Sequence, residues 1–291
     1  MLIHSVRAPI GRAVCRLAVL TAVFVAVGVP LQAGAWTPDK GKTYLKFSAN
    51  LFKSDANFNA AGDSIDPFED FPDQYAKFRD ENLSLYFEHG LTSKLAVFGS
   101  FTHKDIEQSL KNAFFEISAG NKDFTDFELG VRYQLTEGPN VWAVAFTAKL
   151  PYLYDEDDDI PLGNGQEDYE VRGLYGRGLG KGFYAGAELA YRFRTEDPSD
   201  EVRFLGEFGW RYKRFYARTK LDVIRAVDDI DGGTNFGNPL INPSFDLTRV
   251  ELTAGVSIHK NWFLEYTFTD TLDGKNTADG FNNQWALVVS F

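Results

Sequence analysis

The last nine residues constrain the fold of this chain more than any other stretch. In Asn283–Phe291, Trp285, Leu287, Val289 and Phe291 alternate with Gln284, Ala286, Val288 and Ser290. That is the period of a β-strand with one larger, more apolar face. The strand runs to the final residue, where a soluble fold would leave a frayed apolar end with nothing to bury against. Its backbone needs a partner and its outer face needs cover. A closed barrel in a bilayer supplies both; taken alone, the stretch also fits the last strand of a soluble sandwich.

The same alternation recurs about twelve times. Candidate strands lie at Thr43–Phe52, Phe78–Glu88, Lys94–His103, Phe127–Leu135, Trp142–Leu150, Tyr169–Arg177, Phe183–Arg194, Val202–Lys213, Phe215–Val223, Arg249–Ile258 and Trp262–Thr269, before the terminal strand. A sandwich would alternate too, so the connections have to decide. Gly90–Ser93, Thr136–Asn140, Gly178–Lys181, Lys213-Arg214 and His259-Lys260 are short. Ser54–Tyr75, Lys104–Phe124, Tyr152–Asp168, Val227–Phe245 and Asp273–Asn282 read as long polar loops, and only Thr195–Asp200 is modest. Short connections on one side and long ones on the other mark periplasmic turns and extracellular loops. Tyr133, Trp142, Phe183, Trp210, Tyr212, Phe215, Trp262 and Phe291 gather beside the short turns as an interfacial belt. The expected fold is all-β: a transmembrane up-and-down antiparallel β-barrel of about twelve strands in a bacterial outer membrane, formed by residues 36–291.

Residues 1–35 read as a cleaved secretory signal. Arg7, Arg12 and Arg16 precede the apolar run Leu17–Val29, and Ala33-Gly34-Ala35 offers small residues at a cleavage site. The run is too short, and too soon followed by Pro30, for a membrane-spanning helix. The single cysteine, Cys15, would leave with the signal. A mature chain without cysteine has no disulfides, thiolate metal sites or cysteine nucleophile. The chain has 30 Lys and Arg against 41 Asp and Glu; without the three leader arginines the net charge moves from −11 to −14. So acidic a protein is a poor nucleic-acid binder.

Charges inside the strands mark the candidate site. Arg192, Arg194, Arg203, Arg211, Arg218 and Lys220 fall on the inward face, with Glu188, Glu207 and Asp222. Arg132, Glu170, Arg172, Arg249 and Glu251 join them from other strands. A charge facing hydrocarbon at mid-depth costs roughly 2–4 kcal/mol, so the lumen is their place. Such a wall fits a pore with a cationic stripe for anionic solutes. It also fits an Arg–Glu network bracing a closed interior, since twelve strands lie between the roughly eight that side chains fill and the roughly sixteen that leave a wide channel.

Other chemistry is sparse. The run Asp155–Asp159, with Asp63, Asp66, Glu69, Asp70 and Asp73, could hold Ca²⁺ or Mg²⁺ and bridge to lipopolysaccharide, but it lacks EF-hand spacing and also reads as solvated surface. A hydrolase needs a histidine base at the outer rim. His89 and His259 adjoin short turns, leaving His103, near Ser100 and Asp105, as the one candidate. No cofactor is expected, and the chain reads as a non-enzyme.

The ending resembles the terminal strand of bacterial outer-membrane proteins, whose last Phe is read by the barrel assembly machinery; that likeness makes Phe291 an assembly signal. Four segments resemble the outer-membrane transporters grouped with the phenol meta-pathway proteins: Asp126–Tyr133, Lys149-Leu150-Pro151, Gly163–Glu170 and Leu174-Tyr175-Gly176-Arg177. Where that family tends to have a small residue and Gly after Leu-Pro, this chain has Tyr152 and Leu153. The resemblance implies an outer-membrane barrel and transport. The expected function is a porin-like channel passing small polar or anionic solutes through a charged lumen, partnered by lipid, lipopolysaccharide and the assembly machinery. The alternative is a closed barrel whose long loops serve binding or export.

Overall fold

The computed structural model describes residues 34–71, 73–155, 158–230 and 237–291. The expected signal up to Ala33, with Cys15, and Glu156 and Asp157 of the acidic run lie outside the described residues.

Fourteen strands follow in order: β1 (Thr43–Phe58), β2 (Ser64–Ile65), β3 (Tyr75–Gly90), β4 (Leu95–Lys111), β5 (Glu116–Phe124), β6 (Phe127–Gln134), β7 (Asn140–Leu150), β8 (Asp168–Gly180), β9 (Phe183–Arg194), β10 (Glu201–Tyr212), β11 (Phe215–Ala226), β12 (Asp246–His259), β13 (Trp262–Lys275) and β14 (Thr277–Ser290). Each spanning strand pairs antiparallel with its chain neighbour, and β14 pairs with β1 to close the sheet. Twelve strands make the barrel wall, with β2 and β5 as additions. Closure leaves no open edge, the condition for crossing a bilayer with strands.

Alternation decides which way the wall faces. In β7, Trp142, Val144 and Phe146 are exposed, while Ala143, Ala145, Thr147 and Lys149 are buried. In β13, Trp262, Leu264 and Tyr266 point out, and Phe263, Glu265 and Thr267 point in. Leu83, Leu189, Leu252 and Trp285 stand more than half exposed on the same outer surface. An apolar exterior of that extent is stable only against hydrocarbon.

Two expected loops are strand instead. Within the stretch read as a loop from Lys104 to Phe124, β4 continues to Lys111 and returns as β5, a hairpin paired from His103↔Phe124 to Lys111↔Glu116. The stretch Asp273–Asn282 is likewise mostly strand: β13 pairs with β12 up to Lys275, and β14 pairs with β1 from Thr277. Val227–Phe245, Tyr152–Asp168 and Thr195–Asp200 do connect strands, as read. The short connections are turns; in Lys181-Gly182 both residues have positive φ (50° and 84°), the left-handed pair that suits a two-residue hairpin.

Candidate functional site

Every second residue of β6 to β11 projects inward, and charged side chains from these strands, with Lys46 of β1, converge on one internal cavity of about 460 Å³. Arg132, Arg172, Arg192, Arg203, Arg218, Lys46 and Lys220 line it, with Glu128, Glu170, Glu188 and Glu207. The register explains the densest part: Arg192 lies opposite Glu170 on β8 and opposite Glu201 on β10, so one guanidinium is flanked by acids on both neighbouring strands.

Glu170 is the hub. It accepts Arg172 Nη2 at 2.5 Å, Arg192 Nε at 3.1 Å and Arg203 Nη1 at 3.2 Å. Arg172 also bonds Glu188, and Arg192 reaches Glu128 at 3.4 Å. A second group lies around Glu265, which meets Lys46 at 2.9 Å, Arg218 at 3.5 Å and the Tyr216 hydroxyl at 2.5 Å. Strands β1 and β13 are not neighbours, so the Lys46–Glu265 pair reaches past β14 inside the barrel. Glu207 accepts from the Tyr184 hydroxyl at 2.5 Å and faces Lys220 at 3.7 Å. Arg132 bonds Glu88, which is fully buried.

Apolar clusters lie at both ends of the barrel. At the short-turn end, Ala35 is buried against Val141, Ala143 and Leu174, and Trp36 packs on that cluster. The Trp36 ring meets Tyr184 edge-on at 6.4 Å. The Gly34 carbonyl accepts from Arg132 at 2.5 Å, and Thr37 N–H donates to Gln134 at 3.1 Å. The backbone passes so close that a Cβ on Gly176 would lie 2.3 Å from Trp36 Cζ3. Residues 34–39 thus form a strap tucked into the barrel.

At the long-loop end, Ile160 and Leu162 are buried with Phe78 and Ile106, and Phe52, Tyr154 and Leu240 pack beside them. The β7–β8 and β11–β12 loops are tied together: Asn238 Nδ2 donates to the Pro161 carbonyl at 3.0 Å, and Asn164 Nδ2 to that of Ile241 at 2.8 Å. Three of the four segments quoted for the family resemblance meet here, while Leu174–Arg177 lies at the short-turn end. Lys149 bridges Asp126 (3.5 Å) and Asp168 (3.0 Å), while the Tyr154 hydroxyl donates to Asp126 at 2.9 Å and accepts from Gly165 N–H at 2.9 Å. Nearby, hydrogen bonds from Tyr152 and Tyr169 hold the exposed Glu167 carboxyl below its ordinary pKa.

Nine of the fourteen charged residues singled out from sequence line the chamber. Arg194 lies outside it: it contacts Glu201 at 3.3 Å and the Pro243 carbonyl at 3.2 Å, bracing the loops. Asp222 and Arg249 pair at 2.7 Å across β11 and β12, and Glu251 faces Lys220 at 3.9 Å. Arg211 sits over the Phe263 ring, 5.9 Å from its centre, near the short-turn end. Sequence reasoning missed Lys46, Glu88, Glu128 and Glu265, all on inward faces of the alternation, and the strap. Phe291 pairs both backbone groups with Thr43 (2.8 and 3.0 Å) and exposes its ring.

The hydrolase candidate does not assemble. Ser100 and His103 are three positions apart on β4 and so face opposite sides. His103 packs edge-on against Phe124, and Asp105 pairs with Lys122 at 2.8 Å. Among the described residues no group of three His, Cys, Asp or Glu side chains is placed to hold a metal, and Asp158 accepts instead from Asn121 at 2.7 Å.

A closed antiparallel barrel, apolar outside and polar within, defines a transmembrane β-barrel of the bacterial outer membrane, built like its channels and porins. Among solved structures, an outer-membrane channel from Pseudomonas putida F1 superposes with a TM-score of 0.68 at 14% identity, over 89% of this chain and 99% of the other. KdgM porin gives 0.52 at 6% identity, over 84% and 99%. At such identities the likeness establishes the fold. No protein-family model and no curated protein matches the chain.

Proposed function

We propose that this protein is an outer-membrane channel that passes small polar or anionic solutes through its charged chamber, once the strap and the loop plug move aside. The observation behind this reading is the chamber itself. A barrel braced only for stability gains little from burying so many charges, because desolvation offsets most of the Coulomb gain and apolar packing of equal volume is often as stable. Charges left around an internal space are instead what a polar solute needs in order to shed water inside the wall. The leader, residues 1–35, directs export, lipid covers the outer face, lipopolysaccharide surrounds the loops, and Phe291 presents the chain to the assembly machinery.

The two plugs favour a second reading, a barrel that stays shut while its joined loops bind a surface glycan or an export partner. Single-channel recording in a planar bilayer separates the two. Discrete current steps that shrink in the Arg192→Gln and Arg218→Gln variants support the channel. A protein that inserts yet stays silent at every applied voltage gives the reading to the closed barrel.

A further inference from the structure

We infer that the leader is cut from the chain between Ala33 and Gly34, and that the amino terminus so created is held inside the chamber by Glu188. This shortens the leader to residues 1–33, and it holds whether the barrel conducts or stays shut.

The course of the strap carries the inference. At the short-turn rim, Gly41 N–H donates to the Gly90 carbonyl at 2.7 Å, and the Thr37 hydroxyl donates to that of Ser93 at 3.3 Å. Towards its amino end the chain runs inward from that rim, and Gly34 lines the chamber with Arg132, Arg172 and Glu188. The chamber offers about 460 Å³, the liquid volume of about fifteen waters. A further 33 residues, with the apolar run Leu17–Val29 among them, have no place between those charges. A chain that reaches its deepest point at Gly34 has to begin there.

The contacts of Gly34 and Ala35 choose between two cuts. Small residues at 33 and 35 also allow cleavage after Ala35, which would discard both. Yet Ala35 is 1% exposed, packed with Val141, Ala143 and Leu174, and the Gly34 carbonyl accepts from Arg132 Nη1. Their loss opens a void in the short-turn cluster and takes an acceptor from a buried guanidinium. Cleavage after Ala33 still leaves a small residue before the cut and keeps both contacts.

Glu188 is the partner. A Cβ on Gly34 would collide with a Glu188 carboxylate oxygen, so that oxygen lies against the Gly34 Cα, one bond from the new amino group. Glu188 pairs with Arg172, which also serves Glu170. Seven cationic side chains line the chamber with four carboxylates, and Glu88, Asp168, Glu251 and Glu265 answer them from its edge. One further cation balances this set. Hydrolysis of the Ala33–Gly34 bond by a leader-removing endopeptidase consumes one water. Its oxygen stays on Ala33 as carboxylate, and both its protons end on the Gly34 nitrogen as an ammonium. That ammonium then meets an acid whose present cation is shared.

The test uses the full chain, expressed with its leader and purified folded from outer membranes. Intact mass and N-terminal sequencing give Gly34 as the first residue; any other first residue overturns the cleavage site. Acylation by an amine-reactive ester at neutral pH, read on the N-terminal peptide by mass spectrometry, reports where the terminus lies. It is roughly tenfold or more slower in the folded barrel than after heat unfolding, as for a group reached only through local opening. Equal rates in the two states overturn the placement inside the chamber. Glu188→Gln recovers part of the rate, once its unheated sample shows the faster gel mobility of a folded barrel. Where it does not fold, Glu188→Asp, one methylene short of the terminus, takes its place with the same direction expected. A folded variant that labels as slowly as wild type overturns Glu188 as the holding group. None of these readouts depends on conductance, so their failure leaves the channel reading untouched.

Discussion

At the scale of single residues, Glu170 holds three arginines in place. It is 2% exposed, whereas Glu128, which serves only Arg192 among them, is 36% exposed in its side chain. Removing one partner from a buried ion pair costs about 3–5 kcal/mol, while exposed pairs contribute under about 1 kcal/mol. Arg172 keeps a quarter of its side chain exposed, so the Glu170→Gln cost belongs nearer about 2 kcal/mol than the upper figure. Glu170→Gln should therefore lower the temperature at which the folded gel band disappears, and Glu128→Gln should leave it nearly unchanged. Equal behaviour of the two would mean that the hub contributes nothing to stability. That these charges lie inside is legible in the sequence, because alternation assigns faces and hydrocarbon rejects ions. Which pairs form is not, because Lys46 and Glu265 come from strands at opposite ends of the chain and are brought together only by closure. Lys46, Glu88, Glu128 and Glu265 escaped notice for a related reason: each stands without the run of alternating charges that marks β9 to β11.

At the scale of elements, the strap and the joined loops pack at the two ends of the barrel, and neither has a periodic signature. The strap is six residues without regular structure, held by one indole, one buried alanine and a few hydrogen bonds. Its weak point is the approach to Gly176, where any side chain would collide with the Trp36 ring. Gly176→Ala should expel the strap while leaving the strand pairing intact, since alanine sits in a β-strand without strain. The expected result is a higher open probability in a bilayer with an unchanged folded gel band; an unaltered current would show that the strap is not the gate. N-terminal sequencing belongs beside it: processing after Ala35 removes the Gly34 carbonyl from Arg132 and leaves Trp36 to hold the strap. The misread loops have a plain physical cause. In β5 eight of nine residues are exposed, so that strand has no apolar face, and the alternation that betrays a strand in the bilayer disappears.

At the scale of the whole molecule, one contact turns a sheet into a barrel. The β1–β14 pairing runs from Tyr44↔Ser290 to Phe58↔Thr277, so the first and last strands of the wall are paired along their length. The sequence pattern foretold such closure, since a terminal strand with one apolar face has no stable alternative in a membrane. Phe291 extends the ladder by two backbone bonds to Thr43, which any residue can make, and it contributes an exposed ring that packs little of the barrel. Its side chain is therefore nearly dispensable for the folded state and available for recognition during assembly. Phe291→Ala should refold into detergent with the same yield and the same melting temperature of the folded band, because the backbone ladder survives. In cells its amount in the outer membrane should fall several-fold, with the remainder degraded or aggregated in the periplasm. The two measurements have to be read together. A parallel loss in the test tube would make the ring a packing element, and undiminished outer-membrane levels would end its role as an assembly signal. Only the divergence between spontaneous refolding and cellular assembly assigns the last residue to a partner rather than to the fold.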